Sequence, residues 1–122
     1  MTTPAPERPA PVRLVEEAFV CVQACEACAA ACQPAVPAVD PTAWNRVAAR
    51  CARTCEHTSM VLNQLPATDT ADLRAQVELC ALTCEEQAAE FGRHAADDRH
   101  GGQADSCRRC AQACRSFLTS LG

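Results

Sequence analysis

The 122-residue chain has no lysine, and only 3% of its residues are aromatic. Its cations are arginines scattered without a basic block, and the net charge is −4. A partner with a dense phosphate backbone is therefore not expected, and nucleic acid is excluded from the reading. No apolar run approaches the roughly 20 residues that cross a bilayer, so no membrane span is expected. Alternation of β-branched and polar residues is also missing, which leaves strands without support. The start, MTTPAPERPAPVRL, sets prolines and an acid where a secretory leader carries a basic run and an apolar core, and this predicts a cytoplasmic protein.

What the chain does have is cysteine, 11 of them in a sequence that is 48% hydrophobic, enough for one core and one domain. Disulfides are rare in a reducing compartment, and an odd number cannot pair completely, so free thiols or metal thiolates are expected. In CVQACEACAAAC, Cys21, Cys25, Cys28 and Cys32 follow one another at steps of four, three and four. On an α-helix such steps keep all four sulfurs on one stripe about 16 Å long.

Proline, glycine and capping residues divide the chain into a mobile tail, residues 1–10, and a four-helix domain, residues 11–122. The first helix runs from Pro11 to about Gln33 and ends in QPAVPAVDPT. Asp40 and Pro41 start the second, which reaches about Leu65. Asp69 or Thr70 caps the third, to about Ala96, and DDRHGG separates it from a fourth over Gln103 to Leu121.

Each helix carries one seam of alternating three- and four-residue steps, the inward positions of a bundle. Helix 1 gives Leu14, Ala18, Cys21, Cys25, Cys28 and Cys32; helix 2 gives Trp44, Ala48, Cys51, Cys55, Thr58, Leu62 and Leu65. Helix 3 gives Leu73, Val77, Cys80, Cys84, Gln87, Phe91 and His94, and helix 4 gives Gln103, Cys107, Cys110, Cys114, Phe117 and Leu121. Every cysteine falls on a seam. The predicted fold is all-α, an antiparallel up-down-up-down four-helix bundle with a cysteine-lined core. Short connections put the 1/2 and 3/4 turns at one end, with the thiols near it and in the middle. Leu14, Leu62, Leu65, Leu73, Val77, Phe117 and Leu121 gather at the other end.

Small buried hydrophobes explain one or two such cysteines but not a complete set on four seams. Thiolates select Cu(I), Zn or iron–sulfur clusters. Many thiolates in a low-dielectric core need cations to neutralise them. Cu(I) bridged by thiolates at one copper per cysteine leaves a neutral core. Tetrahedral Zn²⁺ leaves two negative charges per site and uses only eight of the 11 thiols. Iron–sulfur clusters favour loop-borne cysteines. The ions expected are therefore multiple Cu(I), with a Zn(II)-binding bundle as one alternative. A second alternative is a thiol redox or metal-sensing protein that cycles Cys25/Cys28 or Cys107/Cys110.

His94 and His100 are in phase with their seams and bracket an acidic turn with Asp97 and Asp98, where they can meet incoming copper. His57 and Met60 are out of phase and belong to the surface, and Trp44 reads as a cap near the mouth.

The segments CVQACEACAAAC, RCARTC, LCALTC, FGRH and CRRCAQAC, in that order, resemble those of the bacterial copper storage proteins. The resemblance spans nearly the whole chain after the tail. It implies a homotetramer of bundles, many Cu(I) ions along each axis, a histidine-containing mouth beside the third interhelical turn, and storage without catalysis. A copper chaperone or chelator is the kind of partner such a store needs. Trp44, Gln87, Phe91, Phe117 and Leu121 stand where such proteins often continue the cysteine strip, which predicts a lower capacity and a metal-free far end.

Overall fold

A computed structural model describes residues 10–32, 43–64, 69–93 and 98–122. They form four helices, α1 (Ala10–Cys32), α2 (Ala43–Asn63), α3 (Thr70–Arg93) and α4 (Asp98–Leu121), with no strand among the described residues. Alanine-rich sequence with few β-branched residues favours this outcome, because helix formation then costs little side-chain entropy.

The caps follow the residue chemistry. Asp69 Oδ1 accepts from the backbone N–H of Ala71 at 2.8 Å and of Asp72 at 3.4 Å, which makes Asp69 the N-cap of α3. α4 begins at Asp98, five residues before the start expected from sequence, and runs through Gly101 and Gly102. Two glycines cost a helix about 2 kcal/mol relative to alanine. Packing offsets part of this: Ala104 is buried, and Gln103 Nε2 donates to the Ala31 carbonyl at 3.0 Å, tying the start of α4 to the end of α1.

Each helix packs on two neighbours, α1 on α2 and α4, and α3 on α2 and α4, so the four form a square bundle. The α1–α4 pair is antiparallel, since Cys21 meets Cys114, Cys25 meets Cys110, and Cys28 meets Cys107. The core is filled from these seams. Leu62, Leu73, Val77 and Phe117 are buried at the end away from the 1/2 and 3/4 turns, with Leu14 and Leu121 packed partly against them. Leu65 lies outside the described residues. Between hydrocarbon and thiols stands Thr58, fully buried, whose hydroxyl donates to the Thr54 carbonyl at 2.8 Å and accepts from Gln76 Nε2 at 2.9 Å. The C-terminus is held by Arg74, which donates to the Gly122 carbonyl.

Candidate metal centre

All 11 cysteines are free, and every one is 0% exposed. The seam phase read from the sequence is therefore the phase of burial. Heptad spacing points each thiol at the bundle axis, and the square arrangement brings them together across it. Cys25 and Cys80 approach to 3.8 Å and Cys28 and Cys84 to 3.9 Å between the diagonal helices α1 and α3. Cys51 and Cys107 at 4.0 Å, and Cys55 and Cys110 at 3.9 Å, bridge the other diagonal, α2 to α4. Every Sγ–Sγ contact named here, from 3.5 to 4.0 Å, joins different helices. Cysteines four apart on one helix also come close, Cys28/Cys32, Cys51/Cys55, Cys80/Cys84 and Cys110/Cys114 having sulfurs within 4.8 Å of each other.

The thiols form groups of four whose sulfurs lie within 4.8 Å of one another. From the hydrocarbon side toward the turns these are Cys25/Cys80/Cys110/Cys114, Cys55/Cys80/Cys84/Cys110, Cys28/Cys51/Cys55/Cys84 and Cys28/Cys32/Cys51/Cys107. Members are shared, so the groups are one continuous column. Cys21 belongs to none of them; it meets Cys114 at 3.5 Å and also interacts with Cys25.

The column's electrostatics follow from burial and proximity. The hydrogen bond between Cys107 and Cys28 favours the thiolate at Cys28, lowering its pKa, and the thiol at Cys107, raising it, with burial adding to the rise. Cys25 is likewise held above the ordinary thiol value, first by its contact with Cys110 and also by burial. A few thiolates can be shared through such bonds. A fully ionised column cannot exist without cations.

Among the described residues of α3, two seam positions at the turn side are not thiols. Gln87 is 7% exposed, one step beyond Cys84, and its Oε1 has no hydrogen-bond partner among the described residues. Phe91, the next seam position, is fully buried. The end carrying the thiols is thus partly closed by an aromatic ring on α3. Sequence phase had placed Phe91 on the seam, but the apolar seal had been assigned to the far end alone.

His94, Asp97 and the side chains of His100, Asp98 and Trp44 lie outside the described residues; His100 itself is in the first turn of α4. His57 and Met60 are exposed on α2, as their phase predicts. The redox alternative wants a thiol at a helix N-terminus, but α4 starts at Asp98 and buries Cys107 more than two turns inside the helix, away from the N-terminal N–H groups that activate a thiol. A surface groove of ≈ 800 Å³ between α3 and α4 is lined by Ala88, Gly92, Arg108, Ala111 and Arg115, among others, and by no cysteine.

The chain has relatives with this architecture. A family model described as copper storage protein matches residues 9–119. The copper storage protein Ccsp from Streptomyces lividans loaded with 10 copper equivalents is 37% identical, with a TM-score of 0.66 over 98% of this chain and 94% of that one. A structure of copper loading, with five coppers, to a cytosolic copper storage protein from Streptomyces lividans is 38% identical, with a TM-score of 0.64 over 93% of this chain and 95% of that one. A histidine-to-alanine variant of Streptomyces lividans Ccsp, 38% identical, matches with a TM-score of 0.65 over 95% of this chain and 98% of that one. The search of curated proteins finds no match. On the span of the family match and the identity to these structures, the chain belongs to the copper storage protein family.

Proposed function

We propose that this chain is a cytosolic Cu(I) store that holds many copper ions through its core thiolates and so keeps copper from toxic reactions. The single observation that carries the reading is the unbroken column of 11 fully buried thiols, with sulfurs 3.5 to 4.0 Å apart across the axis. A soft monovalent ion taken up at one per thiolate is the occupant that leaves such a column uncharged. Family membership and the copper-loaded structures of a 37–38% identical protein support the same reading.

The ligands are Cys21, Cys25, Cys28, Cys32, Cys51, Cys55, Cys80, Cys84, Cys107, Cys110 and Cys114. His94 and His100 receive copper at the turn end. One domain over residues 11–122 does this work, with residues 1–10 as a tail. Catalysis plays no part, and copper arrives from and leaves to a chaperone or chelator. The bundle works as a homotetramer, a reading supported by Val15, Phe19 and Val20 on α1, Met60 on α2, and Leu79 and Leu82 on α3, all exposed apolar side chains.

Anaerobic titration of the reduced protein with Cu(I), read by metal-to-protein ratio under chelator competition, tests the storage reading. About eleven Cu(I) per chain are expected from bridging thiolates. Saturation at one or two coppers, or Zn²⁺ held more tightly than Cu(I), sinks it.

A further inference from the structure

We propose that the copper-free thiol column also binds two tetrahedral divalent ions of the Zn(II) class per chain, at Cys28/Cys32/Cys51/Cys107 and at Cys55/Cys80/Cys84/Cys110. The inference rests on sulfur geometry and goes beyond the copper reading. Zinc–thiolate bonds of about 2.3 Å make a regular tetrahedron with sulfur–sulfur edges of about 3.8 Å. In the first group the close edges are Cys28–Cys51 at 3.9 Å, Cys28–Cys107 at 3.5 Å, Cys32–Cys107 at 3.7 Å and Cys51–Cys107 at 4.0 Å. In the second they are Cys55–Cys84 at 3.6 Å, Cys55–Cys110 at 3.9 Å, Cys55–Cys80 at 4.0 Å and Cys80–Cys110 at 3.9 Å. Both tetrahedra are therefore nearly formed before any metal arrives, so little reorganisation opposes binding.

The sharing of cysteines limits how many such ions fit. These two groups have no member in common, and together they use eight thiols. Two other pairs are disjoint, and both use Cys25/Cys80/Cys110/Cys114, once with Cys28/Cys51/Cys55/Cys84 and once with Cys28/Cys32/Cys51/Cys107. Both have fewer edges near the tetrahedral length, because Cys25/Cys80/Cys110/Cys114 offers only Cys25–Cys80 at 3.8 Å, Cys25–Cys110 at 3.5 Å and Cys80–Cys110 at 3.9 Å, and Cys28/Cys51/Cys55/Cys84 only Cys28–Cys51 and Cys28–Cys84 at 3.9 Å with Cys55–Cys84 at 3.6 Å. No third group remains free in any of the three arrangements, so two ions are the ceiling.

Charge sets the order of preference between metals. Each four-thiolate Zn(II) site carries a net charge of −2, which a dry core tolerates poorly. Cu(I) at one per thiolate carries none. Copper therefore displaces the divalent ions by ligand exchange: each Cu⁺ takes over thiolates already deprotonated, and Zn²⁺ leaves to solvent with no change of oxidation state. The divalent ions occupy an empty store and yield to its cargo.

Cobalt(II) chloride added to the reduced, metal-free full chain under anaerobic conditions gives the test, with zinc competition and circular dichroism on every variant. The expected result is ligand-field bands of tetrahedral thiolate-bound cobalt that saturate at two ions per chain. Cys21→Ala, which removes a thiol outside every group, keeps two ions. Cys114→Ala keeps two ions at unaltered affinity. Cys32→Ala leaves only the arrangement with the fewest close edges and weakens binding by about tenfold or more. The double variant, Cys32→Ala with Cys114→Ala, leaves only groups that share Cys55 and Cys84, and binds one ion. Absence of tetrahedral bands, two ions in the folded double variant, or weakening by Cys114→Ala in place of Cys32→Ala overturns the proposal. A Cu(I) titration of the same samples separates the two readings, since copper capacity near the cysteine count survives a failed cobalt test.

Discussion

The two ends of this bundle are built from the same helices and the same seam spacing, yet one end is lined by sulfur and the other by hydrocarbon. At the hydrocarbon end Leu62, Leu73, Val77 and Phe117 are buried with apolar neighbours. Their burial stabilises the fold in any state of the metal store, at about 1.5–3 kcal/mol for each large side chain. The thiol end offers far less. A cysteine is a small hydrophobe, and its sulfur is positioned for a cation that is present only part of the time. The comparison teaches that stability and capacity are separated along the axis: one end keeps the bundle folded when empty, and the other is free to be optimised for metal.

The strongest way to sharpen this comparison is to remove thiols from the middle of the column. Cys25→Ala with Cys28→Ala takes away two sulfurs and breaks three of the four-thiol groups. Copper capacity should fall by at least about two ions per chain, because each lost thiolate removes at least one bridge. Metal-to-protein ratio after anaerobic loading checks this. An unchanged capacity would mean that copper does not depend on the axial thiols. The melting temperature of the empty protein should move little in comparison.

The reverse change is Phe117→Ala at the hydrocarbon end. Phe117 is fully buried one turn beyond Cys114, so its truncation should destabilise the empty bundle by about 3–5 kcal/mol, visible as a lower urea midpoint. Capacity should stay unchanged, since no ligand is touched. Loss of capacity in a folded Phe117→Ala protein would break the division between the ends.

How far this division could be read in the sequence depends on the helix. A seam fixes the angle at which a residue faces the axis, so the burial of all cysteines, and of Leu73, Val77 and Phe117, followed from spacing alone. It does not fix how far one helix slides along another. The pairing of Cys28 with Cys107, the shared groups of four, and the place of Cys21 outside them depend on that axial stagger, which no single helix records. The early start of α4 escaped for a local reason, since Gly101 and Gly102 read as a break until the packing of Ala104 and the Gln103–Ala31 hydrogen bond are known. Spacing could not choose the metal; thiolate softness and the charge balance of one Cu(I) per thiolate did, and the family resemblance agrees.

A change of pH offers a further test, acting only on the thiol end. Cys25 and Cys107 are held above the ordinary thiol value in the folded protein, Cys25 by its contact with Cys110 and Cys107 by its contact with Cys28, with burial contributing to both. At these positions the folded state binds protons more tightly than the unfolded chain, whereas at Cys28, where the contact with Cys107 lowers the pKa, it binds them less tightly and gains stability as pH rises toward the unfolded thiol value. The stability that Cys25 and Cys107 provide is complete below the unfolded thiol pKa and is lost as pH rises through the folded one. The empty bundle should therefore weaken above about pH 9, by about 1.4 kcal/mol per pH unit for each such thiol. The copper-loaded bundle should not, because its thiols have no proton to lose. Urea midpoints at about pH 9 and about pH 10.5, above the range in which the lowered thiols add stability, with and without copper, check the difference. Equal slopes would show that the thiol end carries no proton-linked stability.

The smallest expected effect tests whether the thiol end gives up stability even where it has no thiol. Gln87 sits on the α3 seam between Cys84 and Phe91, buried, with its Oε1 unpartnered among the described residues. A buried acceptor without a donor costs about 1–3 kcal/mol of desolvation, part of which relaxation recovers. Leucine has nearly the same volume and no polar atom. Gln87→Leu should therefore stabilise the empty bundle by about 1 kcal/mol, seen as a higher urea midpoint with an unchanged slope. Copper capacity should hold, since all 11 cysteines remain. A destabilised Gln87→Leu protein would mean that the amide is satisfied in solution and contributes to the fold, and the contrast between the two ends would then rest on the cysteines alone. A stabilised one would extend the contrast to the glutamine: the metal end keeps a polar group that the empty fold would be better off without, a pattern in which local stability has been given up at the functional end of an otherwise consistent core.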